Sequence, residues 1–262
     1  MSTKPFTSEF QVDSSFQPLI GGSSFHRYKL LWNNDYWIKY GEWLAAPRDK
    51  EIFNSPEKLI FRQTGDSIIG TYVDNRFIMR DNTHILLPKD SSINLKYALS
   101  ILNSKLSNFY YWTINPEKGE ALAQVKLFHL GMLRIPKVNF EKQKLFIEKV
   151  NHILSLNDSL QKNINKFVSR LISNFEIAVT TNLNNFYRYD FKTFVLEFKK
   201  QKKQLTLKEQ DEWEEYFNNY KTVCLNLSDE TICVDKEIDL MVYNLFDINK
   251  EEIDLIDNII LK

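Results

Sequence analysis

The hydrophobic positions change their period near residue 136. Before it, apolar residues come in short runs. Leu59, Ile60 and Phe61 lie inside Lys58–Gln63, and Thr64-Gly65-Asp66 follows as a turn. Ser67–Val73 is rich in β-favouring residues, Asp74-Asn75 turns again, and Phe77–Met79 and Thr83–Leu87 complete the series. Run length and β-branched content predict a meander of short strands. Beyond Ser92, the residues Leu95, Ala98, Leu99, Leu102, Leu106 and Phe109 share one helical face, which predicts a helix through that stretch.

After residue 136 the spacing becomes helical throughout. Asn139 is placed to cap a helix that begins at Phe140. Phe146, Val150, Ile153, Asn157, Leu160, Ile164, Phe167, Leu171 and Asn174 alternate steps of four and three, a heptad seam with two Asn in it. A helix over those residues would be about 50 Å long and needs a partner helix. Phe191, Phe194, Val195 and Phe198 form a later stripe. Thr206 with Glu209 makes a capping box before Trp213, Tyr216, Phe217, Tyr220 and Cys224. Ile238, Met241, Val242, Leu245 and Phe246 form another face, and Asn249 with Glu252 repeats the box before Ile253 and Ile256.

Composition sharpens the division. All seven Gly lie at or before Gly131 and all seven Pro at or before Pro136, so the remaining 126 residues carry neither. Those residues punctuate turns. The fold expected is α+β: a mixed strand and helix domain at residues 21–136, then a long-helix bundle or coiled coil at 137–262. Residues 1–20 are set aside as a leader or cloning-derived segment.

The 262 residues carry 34 Lys plus Arg and 34 Asp plus Glu, so formal charge cancels. The zero is a sum of unlike parts. Residues 1–135 hold 16 basic and 13 acidic groups, 136–203 hold 13 and 6, and 204–262 hold 5 and 15. That distribution fits a polyanion partner for the first 203 residues, or basic and acidic helix faces packed on each other. No stretch approaches a membrane span, and Met1–Phe10 lacks an export-signal core. Cys224 and Cys233 suit thiols in a reducing cytoplasm rather than a disulfide scaffold.

Catalytic signatures are missing. His26, His84, His129 and His152 are scattered without metal-ligand spacing, and there is no glycine-rich phosphate loop or nucleophile elbow. Asp49, Glu51 and Glu57 lack the strand-borne acid followed by acid-x-Lys of a metal-dependent nuclease. A binding function is favoured over an enzyme.

Several stretches together resemble one family. Glu57-Lys58-Leu59-Ile60-Phe61-Arg62-Gln63-Thr64-Gly65-Asp66 resembles the strand-turn signature of the TaqI-like C-terminal specificity domain. Leu102-Asn103-Ser104-Lys105-Leu106, followed by Phe109 and Tyr110, is similar to its helix signature. Leu130–Pro136 resembles its closing segment, with Arg134 where proline is usual, and Gly21–Tyr28 its entry segment. Glu209–Phe217 and Ile238–Ile256 resemble the helical tail of type IIG restriction-modification proteins. The resemblance implies a target-recognition domain of a bacterial adenine-specific DNA methyltransferase or type IIG enzyme. The family's Asn-Pro-Pro-Tyr motif and AdoMet glycine motif have no counterpart here. It therefore implies a fragment of a larger enzyme or a separate specificity subunit. No cofactor is expected on this chain; AdoMet and Mg²⁺ would belong to catalytic domains elsewhere.

A module of this kind would bind double-stranded DNA and position a methyltransferase or endonuclease domain in cis or in trans, in the cytoplasm and without a membrane. Lys and Arg position the protein on phosphates, while Arg, Asn and Gln read base edges. The candidate DNA-binding residues are Arg27, Arg48, Arg62, Gln63, Arg76, Arg80, Asn82, Lys118 and Lys126, with Lys199 and Lys200 as a backbone clamp. Arg62, Gln63, Arg76, Arg80 and Asn82 flank turns and are the expected base readers. Lys39 is a further cation of this half, and Asn103, Ser104 and Lys105 of the helix signature have a structural role as the alternative. Tyr28, Tyr36, Trp37, Tyr40 and Trp43 are expected in the core. The other reading of the whole chain is a helical protein-interaction scaffold that binds no DNA.

Overall fold

The structure is a computed structural model and describes residues 6–74, 77–115 and 117–260. Strands come first: β1 (Thr7–Ser8), β2 (Phe16–Ile20), β3 (Phe25–His26), β4 (Lys29–Leu30) and β5 (Trp37–Lys39). After helix α1 (Glu51–Asn54) come β6 (Lys58–Arg62), β7 (Gly70–Val73), β8 (Ile78–Met79) and β9 (Thr83–Leu86). The rest is helical: α2 (Leu95–Asn103), α3 (Lys105–Ile114), α4 (Leu127–Leu130), α5 (Phe140–Phe175), α6 (Thr181–Asn184), α7 (Phe191–Lys200), α8 (Leu207–Leu245) and α9 (Lys250–Ile260). The α+β class read from the pattern holds. Among the described residues no helix is long and apolar enough to cross a membrane.

Backbone contacts divide the chain into two compact units. Residues 1–152 with 236–262 form one, and residues 153–235 the other. The first unit is thus discontinuous in sequence.

In the first unit, the expected meander is divided between sheets: β6, β7 and β9 form one of order β7-β6-β9, β8 joins another of order β1-β5-β2-β8, and β3 and β4 make a two-stranded pair. The strand β8 leaves its sequence neighbours and pairs in parallel with β2, Leu19 opposite Ile78 and Ile20 opposite Met79. The reason is burial: Leu19, Ile20, Ile78 and Met79 all lie in one core with Phe25, Ile38, Phe53 and Phe77. Pairing with β2 covers both apolar strands. Thr7–Ser8 and Phe16–Ile20 both lie in that sheet, β2 as an inner strand. Of the aromatics expected in the core, Tyr28 is buried but Trp43 is half exposed.

The helix expected across Leu95–Phe109 is broken at Ser104. Its backbone is extended (φ −60°, ψ 157°), ending α2, and its hydroxyl accepts from the Ser107 N–H at 3.1 Å, starting α3. The break lets Asn103 turn to the sheet. Its carboxamide accepts from the Gly70 N–H (2.9 Å) and donates to the Gly70 carbonyl (3.0 Å). The Asn108 carboxamide accepts from the Ile68 N–H at 2.7 Å. Two side chains thus pair with the entry of β7 as another strand would. Only glycine fits at position 70, because a Cβ there would lie 2.3 Å from the Phe61 ring.

The same turn meets the C-terminal helices. The buried Asp239 carboxylate of α8 accepts from the Lys105 N–H at the start of α3 (2.9 Å) and from Arg27 (3.4 Å). An anion at a helix N-terminus is stabilising. Lys105 Nζ also pairs with Asp257 of α9 at 2.8 Å. Lys149 pairs with Glu237 in the same unit.

The second unit has an aromatic core. Phe167 stacks on Phe186 with ring centroids 3.8 Å apart and contacts Phe194, Tyr216 and Phe217. The heptad seam supplies Leu160, Ile164, Phe167 and Leu171 to this core. Asn174, expected on the seam, is exposed and donates to the Arg170 carbonyl of its own helix. The expected caps form: Asn139 accepts from Lys142, Thr206 and Glu209 bond reciprocally, and so do Asn249 and Glu252. The buried Glu197 carboxylate accepts from Lys200 (2.6 Å), Thr180 (2.7 Å) and Asn182 (3.0 Å). Hydrogen bonds from Lys200 and Thr180 hold it below the usual carboxylate range.

Two outcomes are expected. Asn103→Ala strands the Gly70 N–H in the core, while the Gly70 carbonyl keeps the Tyr28 N–H at 3.0 Å, and should cost about 1–3 kcal/mol in urea unfolding; a cost within the ordinary surface range of about 0.5 kcal/mol would contradict the pairing. Glu197 binds a proton less readily when folded, so its stabilisation is present above the ordinary carboxylate pKa and is lost as pH falls through the lower folded-state value. Glu197→Gln should flatten the acid side of the stability profile between roughly pH 5 and 3, and an unchanged acid limb in thermal melts would contradict this.

Candidate nucleic-acid interface

Four chain segments meet beyond the ends of β6, β8 and β9. The Gln63 N–H donates to the Asn82 carbonyl (3.1 Å), and the Gln63 carbonyl accepts from Val125 (2.7 Å). Thr64 bridges Gln124, and the Gly65 N–H reaches the Ala123 carbonyl at 3.0 Å. Gly65 has a φ of 116°, which an L side chain would strain, so the tight turn requires glycine. The Asn82 carboxamide oxygen accepts from the Gly22 N–H at 3.2 Å, and the Arg80 N–H donates to the Ile20 carbonyl at 2.8 Å. His84 beneath them contacts the Val125 carbonyl through Nε2 at 2.6 Å. Tyr111 braces the last segment: its hydroxyl accepts from the Lys126 N–H at 3.0 Å and donates to the Gln124 carbonyl at 3.2 Å.

The backbones on this face are fixed while several side chains are not engaged. Gln63, Thr64 and Gln124 make no side-chain hydrogen bond among the described residues. Arg80 makes one long contact, to the Tyr36 hydroxyl at 3.4 Å. Lys126 forms an ion pair with Glu117 that is partly exposed. Leu122, at the tip of the segment beside Gln124, is 91% exposed. Such an arrangement offers amide, hydroxyl and guanidinium groups on a rigid support, the chemistry of base-edge contact.

The remaining sequence candidates sit differently. Arg27 donates to the Asn103 carbonyl at 2.5 Å and pairs with Asp239. Arg48 donates to the carbonyls of Thr83, Met79 and Arg80, closing the turn between β8 and β9. Arg62 donates to the Phe25 carbonyl and lies 2.8 Å from His26 Nδ1. Burial holds the Arg48 and Arg62 guanidiniums below their usual range. Burial and the Arg62 charge likewise push His26 down, so its imidazole is favoured neutral and accepts from Arg62. These three arginines brace the fold through those carbonyls. Arg76 lies outside the described residues. Lys118 covers the Trp112 ring and donates to the Ile259 carbonyl at 2.6 Å. Lys199 and Lys200 end α7 in the second unit, with Lys200 paired to Glu197.

Gln63, Arg80 and Asn82 are therefore brought together. Thr64, Gln124 and Leu122 join them without having been singled out in the sequence. The bridge between Thr64 and Gln124 spans sixty residues, and no local pattern signals it. Among the described residues no group of three or more His, Cys, Asp or Glu is placed to hold a metal ion.

Comparison with known families covers both halves. Residues 139–242 match a domain of unknown function, DUF8810. No curated protein matches the chain. Residues 17–135 match the TaqI-like C-terminal specificity domain, and the segments carrying the resemblance in Gly21–Ile135 fall inside that match. This portion of the chain thus matches a specificity domain of the restriction-modification type, the TaqI-like C-terminal specificity domain.

Proposed function

We propose that the chain recognises a short sequence in double-stranded DNA, as the specificity module of a bacterial type IIG-like restriction-modification enzyme. The reading is carried by the face on which Gln63, Thr64, Arg80, Asn82 and Gln124 converge within the specificity domain. Their backbones are tied down, Gln63 to Asn82, Thr64 to Gln124 and Arg80 to Ile20, which lowers the ordering cost of meeting a groove. Gln63 and Arg80 suit adenine and guanine edges in the major groove. Lys126 and Lys118 at the border suit phosphates. Methylation and cleavage belong to methyltransferase and endonuclease domains, in cis or in trans, and AdoMet and Mg²⁺ serve those domains. The setting is the cytoplasm, where the DNA substrate is.

The tests separate readout from positioning. Selection from a random duplex library should yield one preferred short sequence. Gln63→Ala and Arg80→Ala should each lower the ratio of preferred to random binding by about 1–3 kcal/mol, roughly five- to 150-fold. Lys126→Ala should weaken both equally and make the salt dependence shallower by about 0.9 in log–log slope. Fluorescence anisotropy reads both effects. A library that returns no preferred sequence would overturn the reading.

A further inference from the structure

A second basic surface lies in the unit formed by residues 153–235, on α5 and α8. It is a groove of about 940 Å³ lined by Lys162, Lys166 and Arg170 on one side and by Tyr216 and Tyr220 on the other. The three cations fall at every fourth residue of α5, so they share a face and advance about 6 Å per step. Asn163, Ser169 and Ser173 add amide and hydroxyl groups, and no carboxylate is among the lining residues. Lys162 is paired with Asp158 one turn back at 2.7 Å, in a largely exposed pair of little energetic consequence. Tyr216 and Tyr220 pack with ring centroids 4.8 Å apart and form one wall of the groove, while Lys166 stays exposed.

We infer that this groove is a phosphate-backbone site for duplex DNA, independent of sequence and separate from the reading face. It rests on the proposal that the chain binds DNA. Three cations in a row with no carboxylate in the lining match a line of phosphodiesters, which bear one negative charge each and offer no donor. Backbone contacts of this kind add affinity and leave sequence preference unaltered.

The test uses the full chain with Lys162, Lys166 and Arg170 all changed to Gln. All three side chains are exposed, and circular dichroism melts check the fold. A single Lys166→Gln variant serves if the triple variant melts early. Anisotropy titrations on the selected duplex and on a random duplex of equal length are run across a salt series. The expected result is a log–log salt slope shallower by about 2–3 for the triple variant and by about 0.9 for the single one. The shift should be the same on both duplexes, with an unchanged ratio between them. A wild-type chain that prefers one sequence while the variants keep its full salt slope overturns the groove and leaves the reading face standing. A shallower slope with no preferred sequence in the wild type supports the groove and overturns the reading face. Absence of duplex binding at low salt overturns both.

Discussion

The pairing of Asn103 with Gly70 is the constraint on which the first unit depends. A buried carboxamide supplies one acceptor and one donor, and the start of β7 needs one of each. The geometry requires glycine at position 70 because the Phe61 ring occupies the place of a side chain. It also requires the chain to leave helical geometry directly after Asn103, which Ser104 achieves by ending α2 and capping α3. Asn108 extends the contact to Ile68. The helix signature is therefore a clasp between helices and sheet. Its Lys105 continues outward, its N–H on Asp239 and its ammonium on Asp257. The hydrogen bonding of strand pairing is here carried out by side chains, so an apolar replacement would leave a buried backbone group unpaired.

Charge in this unit is divided between structure and surface. Arg27, Arg48 and Arg62 satisfy backbone carbonyls that would otherwise be buried without donors. Planar guanidinium groups suit that task because one side chain reaches several carbonyls. With these guanidiniums engaged by carbonyls, Gln63, Thr64, Arg80, Asn82 and Gln124 are polar groups that converge on one face. A face built this way is more amide than cation, so it is fitted for edge recognition more than for bulk attraction.

The second unit is held by a different force. Phe167 lies against six aromatic partners, Phe186 between α6 and α7, Phe194 on α7, and Trp213, Tyr216, Phe217 and Tyr220 on α8, with Phe186 stacked at 3.8 Å. Rings bury much area and orient one another, so a unit of this size with few strands still has a defined core. Glu197 is the one carboxylate in its buried set, and three donors surround it. The heptad pattern from Leu160 to Leu171 feeds this core directly, while Phe146 and Val150 on the same seam are buried in the first unit.

Local signals in the sequence determined what local physics controls. Period set the long helices, since an apolar stripe needs only i and i+4 neighbours. Asn139, Thr206 with Glu209, and Asn249 with Glu252 were legible as caps because a cap is made within four residues. The strand runs around Leu59–Phe61 and Thr83–Leu87 were legible for the same reason. Partner choice was not. The departure of β8 to β2, the break at Ser104, and the bridge from Thr64 to Gln124 join residues far apart in the chain, and each is decided by which buried groups need covering or pairing. The same holds for the candidate site. An arginine beside a turn reads identically in sequence whether its guanidinium faces solvent or a carbonyl sixty residues away, and only the tertiary structure decides between them, because only there do the buried carbonyls that need donors come within reach.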